Sequence, residues 1–267
     1  TAFAPPRLQP PRRWQRRLLV LLVLLLAASA LVAWLNVRGE AGIDDNASVP
    51  FSAKPQQIAQ GAYLARAGNC AGCHTARGGA DYAGGLGIAT PFGTVYASNL
   101  TPDAQTGLGR WTPAAFWRAM HHGRSANGRL LYPVFPYTSY TQVSRADSDA
   151  LFAYLGSLPA VAQANRPHEL AFPYNSQAAL AVWRALFFRA DEFAPEPTQT
   201  AEWNRGAYLV RGLGHCAACH AGRNLLGASR SELALQGGAI PMQHWYAPSL
   251  ASAREAIAEL TEPALAG

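Results

Sequence analysis

Two pentapeptides of the form Cys-x-x-Cys-His use every cysteine in this 267-residue chain: Cys70-Ala71-Gly72-Cys73-His74 and Cys216-Ala217-Ala218-Cys219-His220. A thiol at one position and another three residues on lie on one side of a helical turn, with the imidazole of the next residue beside them. That spacing suits two thioethers to the vinyl groups of a single haem, with the imidazole as the proximal ligand of its iron. The expected cofactor is therefore haem c, two per chain and covalent. Cys70, Cys73, Cys216 and Cys219 are its attachment residues, and His74 and His220 are the metal ligands. A zinc ribbon also pairs such motifs, but about 15–20 residues apart. A redox dithiol of the thioredoxin kind wants one motif in a βαβ unit, and a disulfide scaffold scatters its cysteines over a short chain.

The pentapeptides sit in a longer internal repeat. Gly61-Ala62-Tyr63-Leu64-Ala65-Arg66 precedes the first, and Gly206-Ala207-Tyr208-Leu209-Val210-Arg211 the second, with one extra residue before Cys216. Further on, Tyr96-Ala97-Ser98-Asn99-Leu100 corresponds to Tyr246-Ala247-Pro248-Ser249-Leu250. Matched signatures in the same order imply duplicated domains. The copies are unequal. Residues 101–159 complete the first, whereas only 17 residues follow Leu250, so the second is expected to lack the later helices.

The formal charge of +6 invites a nucleic-acid reading, but five arginines (Arg7, Arg12, Arg13, Arg16, Arg17) lie ahead of residue 18. Without them 17 basic residues face 16 acidic ones, a balance that excludes a nucleic-acid surface. Leu18 to Leu35 is uncharged and nearly all Leu, Val and Ala. As a helix it spans roughly 27 Å, enough for a bilayer core, and the arginines place its N-terminal flank in the cytoplasm. Ala28-Ser29-Ala30 offers a signal-peptide cleavage site as the competing reading. Against cleavage, the apolar run continues to Leu35 with Trp34 at the expected interface. Either reading exports the chain from Asn36 onward.

The remainder reads as helical. A helix begins near Pro55. A second starts at Thr112-Pro113, with Thr112 as N-cap, and runs through Met120 to Gly123. A third opens with Ser144-x-x-Asp147 and ends at Pro159. The Gly- and Pro-rich stretch from Gly78 to Gly109 is expected to be loop. Between the repeats, Ala178 to Phe188 is an apolar helix too short to span a bilayer and interrupted by Arg184; it is expected to pack between the domains, with a partner-docking or membrane-surface role as the alternative. For sixth ligands to iron the chain offers only Met120 and Met242, besides His121 and His122. Packing roles compete for each: Met120 in the core, its two histidine neighbours facing water, Met242 in a loop. His215 is strained for binding its own haem, and His168 and His244 belong to no constellation.

These residues resemble a known family. The stretches Gly84-Gly85…Ala89-Thr90-Pro91-Phe92-Gly93-Thr94, Asn99-Leu100-Thr101-Pro102-Asp103, Gly107-x-Gly109-x-Trp111, Leu131-Tyr132-Pro133-x-x-Pro136-Tyr137-Thr138-Ser139-Tyr140 and Trp203-Asn204-Arg205-Gly206 are similar to those of membrane-anchored multi-haem cytochrome c subunits of bacterial periplasmic dehydrogenases acting on alcohols, aldehydes, gluconate or N-heterocycles. The resemblance implies a mainly α fold: an N-terminal transmembrane helix and two cytochrome c-like helical domains, the second incomplete. The corresponding boundaries are a basic flank (1–17), an anchor (18–35), a linker (36–54), domain 1 (55–159), an inter-domain segment (160–200) and a truncated domain 2 (201–267). It also implies an electron-transfer subunit rather than a complete enzyme, in the inner membrane with its haem domains on the periplasmic side. Its partners would be a catalytic dehydrogenase subunit, molybdenum-containing in the branch it resembles most, and a quinone or terminal oxidase as acceptor.

Two departures stand out. Members commonly carry three haem motifs, and many have Met where this chain has Phe135, which cannot ligate iron. The alternative reading is accordingly a haem-based small-ligand sensor or catalyst with an open distal position. A third is a truncated product that holds its second haem poorly.

Overall fold

Helix α1 (Arg13–Val37) is a single apolar rod of 25 residues, about 37 Å long, with its leucines and valines exposed. It is long and apolar enough to cross a membrane. The computed structural model describes residues 13–40, 43, 53–230, 235–243 and 245–250. Most of the expected linker, the first two arginines of the flank, His244 and the last 17 residues lie outside them. Contacts divide the chain into two units, 1–41 and 42–267, and the second holds both pentapeptides.

The first part of that second unit is built on two long helices that cross closely. Helix α2 (Pro55–Ala67) starts with proline in its first turn, where the missing N–H has no partner to lose. Helix α6 (Arg145–Gly156) is capped by Ser144, whose hydroxyl accepts from the Asp147 amide at 3.2 Å. The two meet at Gly61, where a methyl would overlap the Ala150 carbonyl and crowd the Tyr154 Cβ at 2.7 Å. Helix α4 (Pro113–His122) packs on α6 from another side. Thr112 caps it by accepting from the Ala115 amide at 3.0 Å, and Gly123 ends it in the left-handed conformation. The short helices α3 (Cys70–His74) and α5 (Tyr137–Tyr140) complete this part. Leu64, Tyr82, Phe116, Met120, Tyr140, Val143, Leu151, Leu155 and Leu213 form its core, with Cys70, Leu100, Trp111 and Phe135 packed against it.

The 78–109 stretch is not all loop. Strands β1 (Gly87–Thr90) and β2 (Gly93–Tyr96) form an antiparallel hairpin, and β3 (Glu169–Leu170) adds to its outer edge. The Thr90 hydroxyl donates to the Gly93 carbonyl at 2.6 Å across the turn. Strand β1 alternates only between exposed and half-buried positions and β2 buries a single residue, Val95, so neither carries the apolar–polar alternation of a strand with one buried face.

Helix α7 (Gln177–Phe187) touches both repeats. Its Trp183 indole donates to the Leu226 carbonyl at 2.9 Å. Arg184, read as an interruption, is buried and donates to the His122 and Gly123 carbonyls at the C-terminus of α4. The second repeat continues as α8 (Ala201–Arg211), α9 (Ala217–His220) and a hairpin of β4 (Gly238–Ile240) and β5 (Trp245–Ala247).

Candidate functional site: two histidine clamps

Each pentapeptide folds as the single turn its spacing predicts. No disulfide joins any of the four cysteines. Burial pushes the Cys70 thiol up to about 11, with the neighbouring Cys73 adding to the effect. Cys73 is raised by burial and then by Cys219, so one cysteine of each repeat lies within electrostatic reach of the other. No group of three or more His, Cys, Asp or Glu side chains among the described residues is gathered to hold a metal ion. The four thiols therefore do not converge on one zinc site.

The histidines are held by backbone. His74 Nδ1 lies 2.7 Å from the Ser98 carbonyl oxygen, and His220 Nδ1 lies 2.7 Å from that of Pro248. A carbonyl can only accept, so Nδ1 carries the proton and Nε2 keeps its lone pair for a metal. Burial lowers the pKa of His74 against the opposing pull of the Ser98 carbonyl, which favours the neutral imidazole that iron requires.

The clamp is repeated atom by atom. The Gly84 amide donates to the His74 carbonyl at 2.7 Å, and the Gly237 amide to the His220 carbonyl at 2.9 Å. The Leu100 amide donates to the Tyr82 carbonyl, and the Leu250 amide to that of Leu235, with Tyr82 and Leu235 both at positive φ (60° and 62°). Gly84 must lack a side chain: a Cβ there would sit 2.5 Å from the Ser98 carbonyl carbon. In the first repeat Asn99 then locks Ser98 in place. Its amide donates to Asn165 Oδ1, its side-chain nitrogen to the Val161 carbonyl and Thr106 Oγ1, and its oxygen accepts from the Thr101 amide and hydroxyl. Residues 82–85, 98, 235–237 and 248 were missed as site residues from sequence. The matched Tyr-Ala-x-x-Leu elements pointed to 98 and 248, and the Gly84-Gly85 pair of the family resemblance to the first loop.

The other candidates sit elsewhere. Met120 is buried in the core of the first repeat. His121 and His122 do not face water: both are buried, His121 stacked on Trp117 at 4.3 Å and His122 edge-on to His121 at 4.8 Å. Met242 is exposed at the β4–β5 turn. His168 accepts from the Tyr96 amide at 3.1 Å and supports β2. Phe135 packs edge-on against Tyr140 at 5.3 Å.

Two thiols on one helical turn, beside an imidazole whose second nitrogen is aimed by a carbonyl, fit a covalent haem in both repeats. A helical fold around such a turn defines the class: a c-type cytochrome domain. A family model described as cytochrome c matches residues 58–159. A nicotinate dehydrogenase subunit of Pseudomonas putida is 49% identical over 193 residues, 72% of this chain and 16% of that protein. The gluconate 2-dehydrogenase cytochrome c subunit of Pantoea cypripedii is 41% identical over 201 residues, 72% of this chain and 46% of that one. A diheme cytochrome c-type protein of Cereibacter sphaeroides is 37% identical over 209 residues, 76% and 70% of the two chains. The chain belongs to the cytochrome c family. It spans 16% and 46% of the nicotinate and gluconate relatives, less than half of each.

Proposed function

We propose that this chain is a membrane-tethered electron carrier with two covalently attached haems, taking electrons from a catalytic dehydrogenase subunit and delivering them to the respiratory chain. The observation that carries the reading is the duplicated clamp: the same carbonyl-to-imidazole and glycine-to-histidine hydrogen bonds surround His220 as surround His74. A degenerate second repeat would have no reason to keep them.

When bound, haem supplies a one-electron couple at its iron. The residues divide the remaining work. Cys70 and Cys73, and Cys216 and Cys219, fasten it through sulfur. His74 and His220 present Nε2 to the metal while the Ser98 and Pro248 carbonyls hold the proton on Nδ1. Residues 55–159 and 201–267 are the two haem domains, joined by 160–200. Helix α1 anchors them, with Arg13, Arg16 and Arg17 on the cytoplasmic side and the haem domains in the periplasm. The name of the nicotinate relative supports a partner that oxidises an N-heterocycle. The family resemblance adds that this partner is molybdenum-containing and that a quinone or terminal oxidase is the acceptor.

Acid–acetone extraction of the purified full chain tests the reading. Two haems per chain should stay with the protein, with a mass increment on each pentapeptide, and a catalytic subunit should co-purify from solubilised membranes. Pigment passing into the organic phase ends the proposal. A second reading draws on Phe135, whose hydrocarbon ring stands against Tyr140 in the core of the first repeat. A small-ligand sensor or catalyst would show a high-spin ferrous form that takes up carbon monoxide rapidly; an electron carrier would not.

A further inference from the structure

The extra residue of the second repeat has a structural use. Between α8 and Cys216 runs Gly212-Leu213-Gly214-His215, where the first repeat has Ala67-Gly68-Asn69. Leu213 is fully buried in the core of the first repeat, among residues that include Leu64, Tyr140 and Val143. It also touches Gly68, two residues before Cys70: a Cβ on that glycine would lie 3.3 Å from the Leu213 Cδ2. The approaches to the two pentapeptides are thus packed on each other.

His215 completes the contact. Its backbone is left-handed, with φ 38°, as is that of Asn69 in the same place before the first pentapeptide, with φ 48°. Asparagine tolerates that conformation, whereas histidine adopts it less readily. An outlier of this kind points to a use for the side chain. The His215 ring stacks on Tyr140 with centroids 5.7 Å apart and planes 18° from parallel. Tyr140 in turn stands at the first site: it belongs to the core against which Cys70 packs, and its hydroxyl is pushed up by burial, with Cys70 and Cys73 adding to the effect. One face of the stack therefore belongs to the first attachment site, and the other is a single residue from Cys216.

We propose that the Tyr140–His215 stack, seated by Leu213, is a bridge of positioning residues that fixes the two haem-attachment turns against each other and so sets the rate at which an electron passes between them. This rests on the two-haem reading above. The exchange moves one electron and no proton, one site being oxidised as the other is reduced. The residues hold the geometry and undergo no chemistry themselves.

The test uses the solubilised full chain, its haem content counted first. An external photoreductant delivers one electron, and its redistribution between the two haems is followed by absorbance. His215→Asn, which restores the first repeat's residue and removes the ring, and Tyr140→Leu should each slow redistribution on the order of tenfold, as small misplacements of reacting partners do. Tyr140→Phe keeps the ring and should match the parent chain. A purely structural role would lower the melting temperature without moving the rate. Should Tyr140→Leu lose haem, His215→Asn decides alone. Parent-like redistribution in His215→Asn overturns the bridge while leaving the function reading intact. A count of one haem in the unmodified chain removes both.

Discussion

Gly61 and Gly206 occupy the same place in the two repeats and have opposite surroundings. At Gly61 a methyl would overlap the Ala150 carbonyl of α6, whereas at Gly206 nothing stands within 4 Å of where it would go. Gly61→Ala must push α2 off α6 and should destabilise the fold by about 1–3 kcal/mol. Gly206→Ala removes an exposed helix-interior glycine and should be neutral or stabilising by up to about 1 kcal/mol. Thermal or denaturant unfolding of the two variants side by side reads the difference. His122 supports a prediction about pH. Burial lowers its pKa to about 4, with His121, Arg184, Arg124 and Arg118 adding repulsion. The folded state therefore disfavours the proton that the unfolded chain accepts near 6.5. Stability should be unaffected by this group above that value and should fall as pH drops from about 6.5 towards 4, by on the order of 3 kcal/mol in all. His122→Gln should flatten that part of a stability-against-pH curve, and an unchanged slope would count against it.

Among the elements, those with local signals were the legible ones. The caps at Thr112 and Ser144 lie within three residues of the amides they satisfy, so α4 and α6 could be read from short windows of sequence. The hairpins could not: β1 and β2 are four residues each, and β2 gains its second neighbour from Glu169–Leu170, more than 70 residues on. The clamp was hidden for another reason. Ser98 and Pro248 act through backbone carbonyls, which every residue has, so only their place in the repeat marked them. Arg184 was misjudged for want of its partner: as a charge it breaks an apolar run, but in the fold it closes the end of α4. Replacing it with Leu would take the donor from the buried His122 carbonyl, leave the Gly123 carbonyl with the Leu131 amide alone, and remove a cation facing the Tyr137 and Phe188 rings at 5.3 and 5.0 Å. A loss of about 1–3 kcal/mol is expected from the unpaired His122 carbonyl, measured by chemical denaturation.

At the scale of the molecule, the two repeats have diverged in what they contribute, and tyrosines from matching positions show how. Tyr63 is 45% exposed, while its counterpart Tyr208 is buried against the first repeat, where its hydroxyl donates to Asp147 Oδ2 at 2.7 Å and accepts from the Ser144 amide at 3.0 Å. The second repeat thereby helps to cap α6, the helix that crosses α2, so the first repeat is stabilised by its neighbour and not only by its own core. Tyr208→Phe removes one charge-assisted hydrogen bond and leaves the Ser144 amide without its acceptor, which should cost about 1–3 kcal/mol. Because the lost contact spans the repeats, its effect should reach the first of them. Hydrogen exchange in α6 and α2 should quicken in Tyr208→Phe, whereas Tyr63→Phe, the same change at the matching exposed position, should leave exchange in those helices as it was. Protection of α6 unaltered by Tyr208→Phe would mean that the repeats fold as independent bodies, each sufficient to hold its own histidine clamp.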